Sequence, residues 1–568
     1  MMPAWVAVFA VAVVFAAVVS RQLDRPGFYD NEGRYAEVAR EMLEREDWVT
    51  PEMNGTLFLN KPPLMFWLAA SAMALGAVAE QARLASIGVA ALGVLLTGLL
   101  GARLFDGRTG VLGAVALATM FGFGIEARTL RPDGVLVTTV VAALLCWRLA
   151  MERPAGRRGA WLAAGYAALA VGFMAKGAVP VLITTVPVVA CTIRDLGWRG
   201  LRQLRPLLGL ALFLALVAPW HGLVAWRHAG FAWDYVVNEH LLFFLGKKVP
   251  RDSEGSPLVV FWLAFVARSL PWSVLAPFTA AAAWRGLRAD APEPDRASAV
   301  CWLWVLGVMT PFSLSPSRLE HYSLPALPAV ALLAANGWSR LAAGALPRAA
   351  WTWLGAVAAV LIAVGTLGSV RGAAWLAQLY WLQKLPQLLT LVRPAAWAVL
   401  LGGTALAVAV RARRAVGVAI GLGAIALPML AILMRAHAEA EPVFSWRPLA
   451  REIVAHIPPT AEIVFEAPQE YQQVGGLAFY TGRRITVLEP AGGFTPPAYL
   501  APYRDTMFLR RGELAQRWLG PELVAFVSDP QKRRDSPAGL VPGPFHVVAR
   551  SGGRWLLVNH LPPGAPAS

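Results

Sequence analysis

Fourteen apolar runs, at about 3–20, 64–79, 84–104, 109–125, 134–151, 160–175, 177–193, 207–226, 257–280, 299–315, 322–339, 351–370, 394–410 and 415–434, confine the polar residues of this chain to short loops. An apolar run of roughly 18 or more residues is long enough to cross a bilayer. Only 15% of the 568 residues are charged, against about a quarter in a soluble protein, and mean hydropathy is +0.52. The chain therefore reads as a polytopic membrane protein. Its first run lacks a basic residue before the apolar core and a small-residue cleavage site, and Arg21 follows it. It reads as an uncleaved span, not a signal peptide.

The net charge of +16 does not call for nucleic acid. Arginine gathers in the loops ERPAGRR (152–158), RDLGWRGLRQLR (194–205), WRGLRADAPEPDR (284–296) and RARR (411–414), as cytoplasmic loops of a membrane protein do. All four fall on one side only if one early run does not span. The run at 64–79 is short and follows Lys61-Pro62-Pro63, so it is assigned to the interface. About thirteen spans remain, with the N-terminus inside and the C-terminus outside. The stretch around Asp30, the loop at Asp133, Lys176, residues 227–256 and the loop 316–321 then share the outer face. The three cysteines, Cys146, Cys191 and Cys301, all lie inside apolar runs without a CxxC partner, which suggests neither a disulfide framework nor a thiolate metal site.

Polar chemistry collects on that outer face. In FYDNEGRYAEVARE (28–41), Tyr35, Val38, Ala39, Met42 and Leu43 form one apolar stripe of a helix. Asp30 or Asn31 is placed to cap it, and Glu37, Arg40, Glu41 and Glu44 to face solvent. Asn54-Gly55 marks a hairpin that returns the chain to Lys61. In ARTLRPDG (127–134), Arg128, Arg131 and Asp133 crowd a short loop between spans. Lys176 has no acidic residue adjacent in sequence, so a negatively charged ligand suits it. Glu239 and His240 suit either a metal ion or a pairing with Lys247 or Lys248.

These residues resemble a known family. YDNEGRYAEVAREMLEREDWVTPEMNGTLFLNKPPLMFWL looks like the first periplasmic loop of bacterial aminoarabinose transferases and protein O-mannosyltransferase relatives, GT-C glycosyltransferases that use a polyprenyl-phosphate sugar. ARTLRPDG, GFMAKG, NEHLLFF, LPWS and SPSRLEHYSLPALPA match in character and order. The resemblance spans roughly 1–436. It implies a donor phosphate held by basic residues and a tyrosine, and an acidic residue as general base. Lys61 matches the lysine of the KPP motif, Asp133 the acid of the second loop, His240 the EH motif, and Tyr322 the tyrosine before Leu-Pro. Two positions depart: Asn31 stands where the family has its aspartate, and Asn60 where an acid often precedes Lys-Pro-Pro. An amide is no base at neutral pH, so Asp30, Glu32 or Asp133 is expected to take the acceptor's proton.

Residues 437–568 change character. A helix is expected over 446–456, strands at 462–467, 476–482, 484–489 and 523–529, and a hairpin over 545–559. The expected architecture is a polytopic all-α GT-C membrane domain (1–436, with the first periplasmic loop at 21–82) and a small α/β extracytoplasmic domain (437–568), a lid or stabilising unit. The expected function is inverting glycosyl transfer at the outer face of a bacterial inner membrane. The sugar, 4-amino-4-deoxy-L-arabinose or a hexose, passes from a polyprenyl-phosphate donor to lipid A or another lipid or glycan acceptor. Expected site residues are Asp30, Glu32 and Asp133 for catalysis, and Lys61, Lys176, Arg128, Arg131, Arg318 and Tyr322 for the donor phosphate. Asn31, Arg34, Tyr35, Asn60, Glu239, His240 and Lys247 complete the substrate site. No cofactor is required, and a divalent metal is left open. A flippase of polyprenyl-linked sugars is the competing reading, disfavoured because the spans carry almost no charge at their centres.

Overall fold

The computed structural model describes residues 3–250, 255–466, 471–489, 497–528 and 537–562; the side chains of Asp30 and Trp381 lie outside the description. Among the described residues nine helices are long and apolar enough to cross a membrane. The bent pair Leu258–Ser269 and Trp272–Arg285, kinked by 103°, makes a tenth if counted as one span. The protein is thus a multi-pass membrane protein, although length and composition alone do not reach thirteen spans. The runs at 3–20, 109–125 and 322–339 form the shorter helices Ala4–Val19, Gly107–Thr119 and Leu327–Ala342. Leu64–Ala74 has 11 residues, about 16 Å of helix, too short for a hydrocarbon core of roughly 30 Å.

The bundle has two unlike ends. At one end the four arginine-rich loops come together. Arg148 binds Glu152 (3.2 Å) and Glu293 (2.5 Å). Arg194 donates to the carbonyl of Gly286 (2.7 Å). Arg340 and Arg285 share Asp295, and Trp338, two residues before Arg340, donates to the carbonyl of Ala415. The other end carries the first loop, the second loop, Lys176, the 228–250 segment and the C-terminal sheet.

The first loop opens with the helix Asp30–Glu44. Its cap differs from expectation: the N-cap is Tyr29, whose N–H donates to Glu32 (3.1 Å), not Asp30 or Asn31. The stripe residues Tyr35, Val38, Ala39 and Met42 are buried, but so are Glu37 and Glu41. The expected solvent face is covered because the C-terminal segment packs on it. The hairpin forms as expected between β1 (Glu52–Met53) and β2 (Thr56–Leu57), with Asn54 at φ +56° and Gly55 at φ +71°, the left-handed pair that a two-residue turn requires.

The C-terminal segment holds a six-stranded sheet ordered β5-β4-β3-β6-β8-β7, from β3 (Glu462–Glu466), β4 (Thr486–Leu488), β5 (Phe508–Leu509), β6 (Val524–Ser528), β7 (His546–Ser551) and β8 (Arg554–Val558). β3 to β6 are parallel to one another, β8 runs antiparallel to β6, and β7–β8 is the expected hairpin. The helix over 446–456 is present as Arg447–His456. The strand expected at 476–482 is instead the helix Val474–Thr481. A short apolar run does not distinguish strand from helix, and parallel pairing of β3 with β4 needs a crossover. That helix lies on Asp30–Glu44 so closely that a Cβ on Gly33 would stand 2.4 Å from the Cα of Gly476. One apolar core runs from Phe28 and Tyr35 through Trp446 and Leu477 to Leu556, joining first loop and sheet.

Candidate active site

Glu32 occupies the centre of a buried junction. Arg83, at the start of the helix Arg83–Leu104, donates to both of its carboxylate oxygens (2.8 and 2.7 Å). The remaining Arg83 donors go to the carbonyls of Leu23, Pro26 and Gly27, so all five of its N–H groups are used. Glu32 also accepts from the backbone N–H of Leu130 (2.8 Å) and of Tyr29. Burial works against its charge, but Arg83 and the N–H donors outweigh it and hold the carboxyl below its ordinary range. Glu32 therefore ties the first loop to the second.

Arg128 and Arg318 are tied in the same manner. Arg128 donates to the carbonyls of Gln22 (2.9 Å) and Arg25 (3.1 Å). Arg318 donates to those of Phe312, Ser256 and Ser313. Arg34 bonds Asn31 Oδ1 (2.6 Å) and Gln472 Oε1 (2.7 Å). Asn31 is exposed. Tyr35 is buried in a stack on Phe66, and burial raises its hydroxyl's pKa.

Two ion-pair clusters remain. In the first, Lys176 pairs with Asp133. Asp133 opens the helix Asp133–Met151 and Lys176 closes Gly159–Lys176, so each charge sits at the helix end that favours it. The acid missing from the sequence neighbourhood of Lys176 is thus supplied from 43 residues away. Lys176 Nζ also lies 4.9 Å over the Tyr322 ring, which packs on His321. Arg131 pairs with Glu126 at 3.5 Å. Arg268 feels Glu126, Glu320, Arg131 and Asp133, yet its Nη1 is buried without a hydrogen-bond partner among the described residues.

In the second, Glu239 stands between two lysines, Lys61 (3.4 Å) and Lys248. Asn60 donates to Glu239 (3.3 Å) and accepts from the Tyr499 hydroxyl (3.0 Å). His240 turns Nδ1 to the Tyr235 carbonyl (2.6 Å). Its Nε2 would lie 2.1 Å from a Cβ at Gly177, so this helix-ending residue, at φ +64°, has to be glycine. The two clusters therefore meet at the Lys176–Gly177 corner. Of the alternatives open for Glu239, pairing with Lys248 is the one realised; Lys247 is exposed. Among the described residues no group of three His, Cys, Asp or Glu side chains is placed to hold a metal. With Glu239 held by two ammonium groups and an amide at Asn60, the donor set here does not suit a divalent ion, and no step is routed through one.

Sequence reasoning missed Arg83, Glu126, Arg268, Gln472 and Tyr499. Lys248 was weighed only as a partner for Glu239, and Arg268 lies two residues before the quoted LPWS. Gln472 and Tyr499 come from the C-terminal segment, where no motif announced them.

The chain trace is similar to the crystal structure of ArnT from Cupriavidus metallidurans bound to undecaprenyl phosphate, with a TM-score of 0.76, 23% identity and 98% of each chain covered. A more distant likeness, TM-score 0.51 at 12% identity over 84% of this chain and 63% of the other, is to the Archaeoglobus fulgidus oligosaccharyltransferase tethered to an acceptor peptide. The fold is the one seen in ArnT. Residues 60–222 match the family described as dolichyl-phosphate-mannose-protein mannosyltransferase. Curated relatives include undecaprenyl phosphate-alpha-4-amino-4-deoxy-L-arabinose arabinosyl transferase 1 of Sodalis glossinidius, 29% identical over 58% of this chain and 57% of the relative. The arabinosyl transferase of Pseudomonas aeruginosa strain UCBPP-PA14 is 31% identical over 53% and 54%. The chain matches just over half the length of these relatives. The chain is thus similar in sequence to aminoarabinose transferases over part of its length, and similar in fold to ArnT over nearly all of it.

Proposed function

We propose that the protein transfers a sugar from a polyprenyl-phosphate donor to a cell-envelope acceptor, at the end of the bundle that carries Asp133, Lys61 and the C-terminal sheet. One observation carries this reading. Lys61, Lys248, Lys176, Arg131 and Arg268 gather around Glu239, Asp133 and Glu126, with Asp234 and Glu320 beside them, and Arg268 keeps a buried Nη1 without a hydrogen-bond partner among the described residues. Clustered cations with a buried guanidinium N–H still to be met suit a lipid phosphate in the ground state and the same phosphate as a leaving group. Lys61, its side chain 35% exposed, is the most open of the pairs that supply it.

Glycosyl transfer passes through an oxocarbenium-like state, and the acceptor hydroxyl must lose a proton. Glu32, each oxygen already accepting two N–H groups, is assigned to structure. Asp133, with Lys176 to keep it ionised, and Asp30, beside the exposed Asn31, remain the candidate bases. Arg128 and Arg318 are likewise assigned to holding loops, which leaves the phosphate to Lys61, Lys176, Arg131, Arg268 and Tyr322. Arg34, Tyr35, Asn60 and His240 form the walls. Residues 437–568 serve as a lid that contributes Gln472 and Tyr499. The relatives' names suggest 4-amino-4-deoxy-L-arabinose from undecaprenyl phosphate as the sugar and donor, and lipid A is the acceptor to try first. The site end is taken as periplasmic and the membrane as the bacterial inner membrane, because the arginine-rich loops lie at the opposite end.

The test is transfer by the purified protein in nanodiscs, with a panel of labelled polyprenyl-phosphate sugars and lipid A. Product that disappears in Asp133→Asn supports the reading. A flippase draws its support from the 103° break between Ser269 and Trp272, since broken helices mark transporters. Movement of the intact donor across proteoliposomes, with no transfer, would replace the enzyme by that function.

A further inference from the structure

A second feature lies away from this site, at the arginine end. Helices Asp133–Met151, Gly159–Lys176 and Val179–Leu196, with the 3₁₀ segment Trp198–Leu204 at one end, line an open cleft of about 310 Å³. Its walls are Trp147, Leu162, Val188, Leu201 and Leu204, with the Tyr166 ring. That volume is at the small end of ligand sites, which span about 300–1,000 Å³. The Tyr166 hydroxyl is spent on the Leu204 carbonyl (3.0 Å) and that of Thr185 on Val181. Thr184 lines the cavity with a buried hydroxyl that has no partner among the described residues.

The segment that closes one end of the cleft also carries its charge. Arg199, Arg202 and Arg205 are exposed. The nearby carboxylate, Asp195, is taken by Arg194 and Arg296. Arg205 Nη1 reaches the start of Gly159–Lys176, where a Cβ on Gly159 would meet it at 2.9 Å. Its charge thus adds to the positive end of an 18-residue helix. Trp198 is 76% exposed, an amphipathic anchor of the kind found at a headgroup boundary, and Leu207, 82% exposed, is apolar surface near it in the chain. Topology accounts for arginine on this side of the membrane. It does not account for three arginines that pair with no carboxylate among the described residues, around the closing segment of an apolar cleft.

We infer that this is a binding site for an anionic diacyl phospholipid. One acyl chain fills the cavity between the three helices, and the phosphate is met by Arg199, Arg202 and Arg205. Helix-embraced basic pockets of this kind recognise anionic headgroups, and the apolar lining selects a lipid over a soluble phosphate. The site is separate from the donor site and does not depend on the proposed activity.

The test is native mass spectrometry of the full protein, exchanged into detergent with phosphatidylglycerol or phosphatidylcholine at equal concentration. Thermal unfolding is followed in parallel. Retention of phosphatidylglycerol at least tenfold above phosphatidylcholine, with a rise in Tm, is expected. Arg199→Gln/Arg202→Gln/Arg205→Gln, all at the surface, should lose that retention at least tenfold. Gly165→Leu, which fills the cavity from the helix Gly159–Lys176, should lose it with the arginines intact. Unchanged retention in the triple variant overturns the site. Loss in the triple variant but none in Gly165→Leu overturns the cavity and leaves only a surface layer of counter-lipid. Displacement by glycerol phosphate alone, at the same concentration as the lipid, would show that no acyl chain is held.

Discussion

The two ends of the bundle use charge in opposite ways. At the arginine end most ion pairs reach the surface: Arg148 and Glu293 have side chains 25% and 53% exposed, and the exception is Asp295, buried beneath Arg285 and Arg340. At the opposite end the pairs are dry: both side chains of Arg83–Glu32 are 1% exposed, and those of Lys176–Asp133 are 14% and 4%. A surface pair is worth about 0–1 kcal/mol and weakens with salt. A buried pair gives little net stability but is costly to break, because its survivor is a charge out of water. The arginine end is thus tolerant and the opposite end brittle, and chemistry that needs fixed charges belongs at the brittle end.

The largest effect should come from breaking the junction. Arg83→Met leaves Glu32 buried and unpaired, and is expected to destabilise the protein by about 3–5 kcal/mol, read as a loss of folded protein in a detergent-stability assay. Arg83→Met/Glu32→Gln should recover most of it. If the single variant is as stable as the parent, Glu32 is not a structural tie and returns as a candidate base.

Next is Asp133→Asn, expected to lower kcat by about 10²-fold, the scale of a lost general base. Because Lys176 would then lack its partner, Asp133→Asn/Lys176→Met separates the roles. The double variant should regain stability without regaining turnover. If it regains both, the pair serves only to hold two helix ends together.

Lys61→Ala should lower kcat/KM for the donor by about tenfold or more, the 1.5–3 kcal/mol of a charge-assisted hydrogen bond. Its fold should survive, since Lys248 still balances Glu239. Unchanged kinetics would remove Lys61 from the phosphate site. Arg148→Ala, by contrast, should cost less than about 1 kcal/mol, and less still in high salt. A larger loss would show that the arginine end is as tightly built as the other.

The same contrast explains what could be read from the sequence. The apolar runs, the four arginine loops and the hairpin at Asn54-Gly55 declare themselves, because each depends on local composition or on a backbone angle. The gathering of Lys61, Asp133, Lys176 and Tyr322 was also legible, from motif order and from which side each loop must occupy. What stayed hidden were the pairings. Glu32 looked like a catalytic acid because its partner lies 51 residues on, in the first turn of a helix. Glu37 and Glu41 looked solvated because their helix is covered from two sides that the local pattern does not show, the hairpin whose Gly55 N–H donates to Glu41 (2.9 Å) and the C-terminal segment more than 400 positions later. Arg128 and Arg318 looked like anion ligands because nothing local shows that backbone carbonyls take part of their donors. The helix at Val474–Thr481 was mistaken for a strand, since GLAFYTG is too short to show a period.

The contact between Gly33 and Gly476 fixes an order of events in the cell. Gln472 reaches Arg34 across 438 positions and Tyr499 reaches Asn60 across 439. At about 5–20 residues per second of synthesis, the first loop waits roughly 20–90 s for the segment that covers it. During that interval the helix Asp30–Glu44 stands at the membrane surface with its Gly33 face uncovered. The site can close only after most of the chain has been inserted, so a ribosome that stalls before residue 470 leaves a bundle in the membrane but no finished site.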